Sequence, residues 1–176
     1  MKTLIVYESM YGNTHAVAEA VAAGLGGEPD VSLCTTEEAT PRRIAEADLL
    51  IVGGPTHVHG MVSGASRKGA IEAAAGEPEL ELDPAVESES LKSWLDALER
   101  VDGKLGVAFD TRASGPALVT GSAAKGIAKR MRRHGFSLVG GPESFIVKDS
   151  GGPLVEGELD RAVEWGKALV GVISRT

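Results

Sequence analysis

Apolar residues along the chain alternate between two textures. Short runs at Thr3 to Tyr7, Val31 to Cys34, Asp48 to Val52 and Lys104 to Phe109 read as strands, and a fifth strand signal lies between Phe136 and Val147. Between and after them the period lengthens. Val17, Val21 and Leu25 recur every four residues; Leu91, Leu95 and Leu98, with Trp94 beside them, restore a helical stripe ahead of the fourth strand. Leu159, Val163, Gly166, Val170 and Ile173 form a last stripe at three- and four-residue spacing, which predicts a core-facing helix. Leu49 to Val52 and Leu105 to Phe109 are unbroken apolar runs, the signature of central parallel strands covered on both faces. Strands alternating with helices predict an α/β chain with a doubly wound parallel sheet between two helical layers.

With 176 residues, 43% of them hydrophobic, the chain can bury one core, and a single domain is expected. The net charge of −7 argues against a nucleic-acid binder, whose affinity comes from lysine and arginine on phosphates, and leaves a basic protein partner electrostatically welcome. Cys34 is the only cysteine, which excludes an internal disulfide or a cysteine cluster and suits a reducing compartment. The first residues are too short and too polar a run for a signal peptide, and no later stretch approaches a membrane span. A soluble, cytoplasmic protein is the expectation. One segment fits no minimal five-strand unit. From about residue 64 to 90 a short helix around Arg67-Lys68 and Ala73-Ala74-Ala75 gives way to an acid run with two prolines, Gly76 to Pro84. This reads as an acidic insert, a solvated and partly mobile loop, with docking of a partner as the functional alternative.

Sheets of this kind bind ligands at the carboxyl ends of their strands. The first such loop, Glu8-Ser9-Met10-Tyr11-Gly12-Asn13-Thr14, runs straight into an alanine-rich helical stretch. Ser9, Asn13 and Thr14 carry side-chain donors, Gly12 lets a backbone approach closely, and the first amides of a helix have no intrahelical acceptor. An anion belongs there. The loop holds no lysine or arginine and no G-x-x-x-x-G-K-[ST], so a single phosphate fits better than a triphosphate. The loops after the third and fourth strands, Gly53 to Ser63 and Asp110 to Ser122, are rich in glycine and hydroxyls.

Together these loops resemble those of the flavodoxin-like family of flavin mononucleotide (FMN) proteins, whose first loop is a Ser/Thr-x-x-Gly-x-Thr phosphate cradle. Ser9-Met10-Tyr11-Gly12, the Gly-x-Pro-Thr at Gly53 to Thr56 and the following Gly60-Met61 look particularly like the FMN-dependent quinone reductase branch. The resemblance covers nearly the whole chain. It implies a five-stranded parallel sheet in the order 2-1-3-4-5, with FMN across the ends of strands one, three and four. It also implies that Ser9, Tyr11, Gly12, Asn13 and Thr14, with Met10 between them, hold the phosphate. Pro55, Thr56, His57, Val58, His59 and Gly60 would line one edge and face of the flavin ring. Asp110, Thr111, Arg112, Ala113, Ser114 and Gly115 would border the other side.

The departures from an electron-transferring flavodoxin are informative. Such proteins sandwich the ring between aromatic side chains of the second and third loops, and here neither loop has a tryptophan or tyrosine. Trp94 and Trp165 fall on helical stripes and are expected to pack in the interior. An exposed ring face, as hydride exchange with a bound substrate requires, is the resulting expectation. Tyr11 either stacks near the flavin or serves the structure. His57, His59 and Arg112 are the candidates for chemistry. The histidines would hydrogen-bond the flavin or a substrate oxygen and move protons, or simply pack in a polar loop. Arg112 would stabilise charge at the flavin N1 and O2 or a nicotinamide phosphate, or form a surface ion pair with Asp110 or a glutamate. No metal site is expected. A phospho-receiver of the same topology needs an aspartate at the end of the third strand, where Gly53-Gly54 stands. The functional reading is an FMN flavoprotein in electron transfer. It is either a carrier with a redox partner protein or a small reductase using NAD(P)H and a quinone-like acceptor. The alternative is a non-catalytic module of the same fold acting through its acidic insert.

Overall fold

The computed structural model describes residues 1–26, 30–57, 60–62, 64–76, 81–115, 121–149 and 151–174. Strand β1 (Thr3–Tyr7) lies in parallel between β2 (Val31–Thr35) and β3 (Leu49–His57), and β5 (Leu105–Ala113) pairs in parallel with the far side of β3. The two-residue β4 (Gly60–Met61) folds back antiparallel on the end of β3. The last strand is broken: β6 (Ser137–Leu138) pairs with the start of β5 and β7 (Glu143–Val147) with its end. Val139-Gly140-Gly141-Pro142 explains the break, since Gly140 adopts φ 69° and a proline donates no ladder hydrogen bond. Counting β6 and β7 as one strand, the sheet is five-stranded and parallel in the order 2-1-3-4-5, as the resemblance implies.

Helices α1 (Asn13–Gly24) and α6 (Glu158–Ile173) cover one face; α2 (Pro41–Glu46), α4 (Leu91–Ala97) and α5 (Ala123–Arg133) cover the other. Alternation along β1 divides the core. Leu4 and Val6 meet Trp94, Leu95, Ile127 and Met131, whereas Ile5 and Tyr7 meet Val17, Val21 and Leu169. Thr40, Ser90 and Ser122 cap α2, α4 and α5 by accepting the amides of Arg43, Ser93 and Lys125.

The last helix differs from its sequence pattern. Its core face is centred on Ala162, Gly166 and Leu169, and Leu159 and Val170 of the expected stripe are 44% and 40% exposed. The cause is a backbone-to-backbone crossing with α1. A Cβ added to Gly24 would lie 2.1 Å from the Val163 carbonyl oxygen, and one added to Gly166 would lie 2.5 Å from that of Val21. Ala162 and Gly166 therefore sit at the crossing, and Leu159 and Val170 move to its rim. Strands β3 and β5 also extend beyond their apolar runs, through Gly53–His57 and Asp110–Ala113. Their mutual ladder outweighs the weak strand propensity of Gly-Gly-Pro.

Residues 64–90 depart furthest from expectation. The acid run at 77–80 lies outside the described residues, but the flanks are built into the fold. Helix α3 (Gly64–Gly76) carries Arg67, which donates to the Glu8 carboxylate and to the Ser88 carbonyl. A single 3₁₀ turn at Pro84–Glu87 follows Asp83, a buried carboxylate whose own amide donates to the Met10 carbonyl at 2.8 Å. Met10, Val62, Ala70 and Val86 form a small separate core. Asp83 is acidic yet not solvated, because it caps the turn and anchors the segment to the first loop. No helix among the described residues is long and apolar enough to cross a membrane.

Two stability measurements test this packing. Gly24→Ala should cost about 1–3 kcal/mol in urea unfolding because backbone must shift to admit the methyl. Gly69→Ala, on the open surface of α3, should be neutral or stabilising by about 0.5–1 kcal/mol; equal effects would refute the tight crossing. Arg67→Met leaves the Glu8 carboxylate buried without its cation and should cost about 3–5 kcal/mol near neutral pH. Burial already raises the Glu8 pKa, so the folded state favours its protonated form and regains stability as pH falls through that value. The Arg67→Met penalty should therefore shrink in acid, and a pH-independent penalty would exclude Glu8 as the stranded charge.

Candidate functional site

The sheet register sets the site. Tyr7 pairs with Gly53 and Gly53 with Phe109, so the loops leaving β1, β3 and β5 emerge side by side at one edge. The crowding needs the glycine: a Cβ on Gly53 would fall 2.0 Å from the Phe109 ring. Between the loops lies a cleft of about 260 Å³ lined by Ser9, Met10, Tyr11, Asn13, Thr14, Pro55, Thr56, His57, Thr111, Arg112 and Ala113, together with Val62, Ala70 and Val147.

The first loop forms its floor. Gly12 sits at φ 83°, ψ −17°, immediately before α1, and this left-handed residue turns successive amides toward one point. Its own amide donates to Ser9 Oγ at 3.1 Å. Ser9 thus accepts from the backbone and keeps its hydroxyl proton for a ligand. Thr14 Oγ1 and Thr111 Oγ1 are 2.7 Å apart; one donates to the other, and the second proton of the pair remains available. The amides of Asn13, Thr14 and His15, in the first turn of α1, have no carbonyl acceptor within the helix. Asn13 contributes less of its side chain than the sequence suggests, because Nδ2 donates to the Gly152 carbonyl at 2.8 Å and ties the loop to the connection ahead of α6. These groups are neutral donors around a left-handed glycine, a set that fits a phosphate monoester.

The walls differ in character. On one side Tyr11 donates its hydroxyl to the Ala70 carbonyl at 3.4 Å, which places α3 beside the first loop. On the other, Arg112 Nη1 donates to the carbonyl oxygens of Gly115, at 2.7 Å, and Ala113, at 3.4 Å, bracing its own loop. His57 ends β3 opposite Gly60 in the short hairpin. Asp110 is fully buried beneath the cleft and does not line it. Its Oδ2 accepts from Thr56 Oγ1 at 2.9 Å, Ser122 Oγ at 2.7 Å and the Ala124 amide at 2.9 Å, and the Ala123 amide donates to Thr56 Oγ1 at 2.7 Å. Asp110 thus fixes Thr56 and the start of α5 from behind. Ser114 and Gly115 are exposed beyond the lining, Gly60 also lies outside it, and Gly12 shapes the loop from below; Val58 and His59 lie outside the described residues.

Several contributors went unread in the sequence. Val62, Ala70 and Val147 are ordinary apolar positions with no local signal. Glu8 and Asp83 were legible only as acids. Trp94 is buried and donates Nε1 to the Ala39 carbonyl, and half-buried Trp165 packs edge-on to Phe109 and Phe145 at 6.2 and 5.7 Å. Burial pushes the Cys34 thiol up to about 11, so this cysteine stays protonated near neutrality. Burial, with Asp83 next in effect, pushes Tyr7 up to about 12.

Comparison with solved structures gives matches along the whole chain. Flavodoxin 2 from Bacillus cereus is 21% identical with a TM-score of 0.66, over 97% of this chain and 99% of that one. A flavodoxin from the domain Archaea is 20% identical with a TM-score of 0.63, over 99% of both chains. A flavodoxin described as WrbA-like, from Agrobacterium tumefaciens, is 21% identical with a TM-score of 0.58, over 99% and 98%. These likenesses establish the fold. No curated protein matches. The family model described as Flavodoxin matches residues 5–165, from β1 into α6, and the chain therefore belongs to the flavodoxin family, whose general role is FMN-dependent electron transfer.

Proposed function

We propose that this chain binds FMN in the cleft and acts as a small reductase that passes electrons to a quinone-like acceptor. The observation that carries the cofactor assignment is the left-handed Gly12 turn with the Ser9 and Thr14–Thr111 hydroxyl protons beside it. Ser9, Thr14 and the first amides of α1 would hold the phosphate by charge-assisted hydrogen bonds, aided by the helix dipole. Pro55, Thr56 and His57 on one side and Thr111 to Ala113 on the other would hold the ring. FMN, when bound, supplies one- and two-electron redox chemistry that the protein's own side chains lack.

The protein's part is positioning and access. Asp110 holds the Thr56 hydroxyl in one orientation. Arg112, braced by its loop carbonyls, places a cation at the rim. His57, at the end of β3 and in the cleft lining, offers an imidazole that can hydrogen-bond the flavin or a substrate oxygen. Residues 53–63 and 110–122 hold no tryptophan, tyrosine or phenylalanine, and both indoles pack against the core, which supports an uncovered ring face on which a planar acceptor can stack. NAD(P)H is the proposed donor, and the single buried Cys34 suits a reducing, cytoplasmic setting.

Titration of the protein with FMN should quench flavin fluorescence at one flavin per chain. Ser9→Ala should weaken FMN by about 10- to 100-fold, as for loss of one hydrogen bond to a charged group, while leaving riboflavin nearly unchanged. Failure of FMN to bind at high concentration would overturn the assignment. Anaerobic mixing of the FMN-loaded protein with NADH or NADPH should bleach the flavin within seconds, and added benzoquinone should restore its colour. Bleaching by neither nucleotide would replace the reductase with a carrier fed by a partner protein.

A further inference from the structure

An anion cradle is an unexpected place for a buried carboxylate, yet Asp83 is at one. Its Oδ2 lies 3.9 Å from where a Cβ on Gly12 would stand, and its side chain is 3% exposed. The backbone amide of Asp83 donates to the Met10 carbonyl inside the same loop, so the acid cannot swing away without releasing the loop. A fixed negative charge here opposes a phosphate dianion. The cationic partner in reach is a histidine. His15 Nδ1 is 3.1 Å from Asp83 Oδ2, and the imidazole is stacked on Tyr7 with centroids 4.5 Å apart.

We propose that His15 and Asp83 form a charge-compensating pair that makes the site's preference for phosphorylated over unphosphorylated flavin depend on pH. This rests on the FMN reading above. With His15 neutral, Nδ1–H donates to Asp83 and the pair carries one negative charge against the ligand phosphate. A second proton on Nε2 cancels that charge. Two acids stand around the imidazole: Glu19, one turn along α1, has Oε1 3.7 Å from Nε2, and Glu38 adds negative charge near Tyr7. Tyr7 itself, held neutral by burial, contributes only its ring. On the other side of β1 the Glu8 carboxylate is matched by Arg67, so that pair leaves the local charge unchanged. Histidine changes charge between pH 5 and 8, whereas a phosphate monoester remains mostly dianionic down to about pH 6. The site should therefore bind FMN more tightly at pH 6.5 than at pH 8.5, and riboflavin equally at both.

The test is flavin fluorescence quenching with FMN and with riboflavin at these two pH values, in wild type, His15→Asn and Asp83→Asn. In wild type the ratio of riboflavin to FMN dissociation constants should rise about fivefold or more on going to pH 6.5. His15→Asn, which keeps a donor to Asp83, should abolish that rise. Asp83→Asn should strengthen FMN several-fold at pH 8.5 and leave riboflavin alone. A rise that persists in His15→Asn, or that riboflavin shares, overturns the pair's role while the FMN assignment stands. Failure of every variant and the wild type to bind FMN overturns both.

Discussion

The register of the central strands is the constraint on which the rest depends. One row of residues, Thr35, Tyr7, Gly53, Phe109 and Glu143, crosses the sheet from β2 to β7. Because parallel strands all end on the same side, that row fixes where every loop begins. Gly53 is the pivot of the row: Phe109 occupies the space its side chain would fill. The same residue excludes the acid of a phospho-receiver and permits the three loops to converge. A one-residue slip would reverse every side chain between the two cores, so the apolar alternation of β1 protects the site geometry as well as the fold.

Legibility followed the range of the interactions. The strands of the sheet core, the phosphate loop and the helical stripe of α4 depend on local periodicity and local turn chemistry, and each could be read directly. The last helix could not, because its inward face is decided by how closely α1 approaches, and Gly24 stands far from Gly166 in sequence. Period alone set Gly166 on one stripe with Leu159, Val163, Val170 and Ile173, but could not show that Gly166 is what permits the crossing while Leu159 and Val170 stay exposed. Asp110 shows the same limit at the site. Its place at the end of a strand suggested a ligand contact; its actual partners, Thr56, Ser122 and Ala124, become visible only when β3 and α5 are brought against it.

Residues 64–90 carry the more consequential lesson. Their acids and prolines describe a solvated loop by composition, and composition is silent about pairing. Glu8 on one side of β1 and the first loop on the other each receive a residue from this segment, Arg67 and Asp83. Both are charged groups taken out of water, which is costly unless each meets a partner. Their burial is therefore evidence that the described flanks of the segment are positioned rather than draped, and that the wall of the cleft at Val62 and Ala70 is part of the same folded unit as the cradle.

That arrangement separates two properties of the site. On the FMN reading, the cradle would meet the phosphate with neutral donors whose directions are set by Gly12 and by the Thr14–Thr111 contact, so geometry fixes where the anion sits. The charged groups near it belong to the scaffold: Arg67 pairs with Glu8, and His15 Nδ1 lies 3.1 Å from Asp83 Oδ2. The chemistry at the other end of the cleft is governed by different loops, those that begin at Gly53 and Asp110, where aromatic cover is missing. A chain of this family can thus retain the cradle unchanged while the ring-facing loops decide whether electrons leave to a stacked small molecule or to a protein surface. On the function proposed above, the residues around Thr56, His57 and Arg112 would have most influence on the reaction, and those from Ser9 to His15 on cofactor identity.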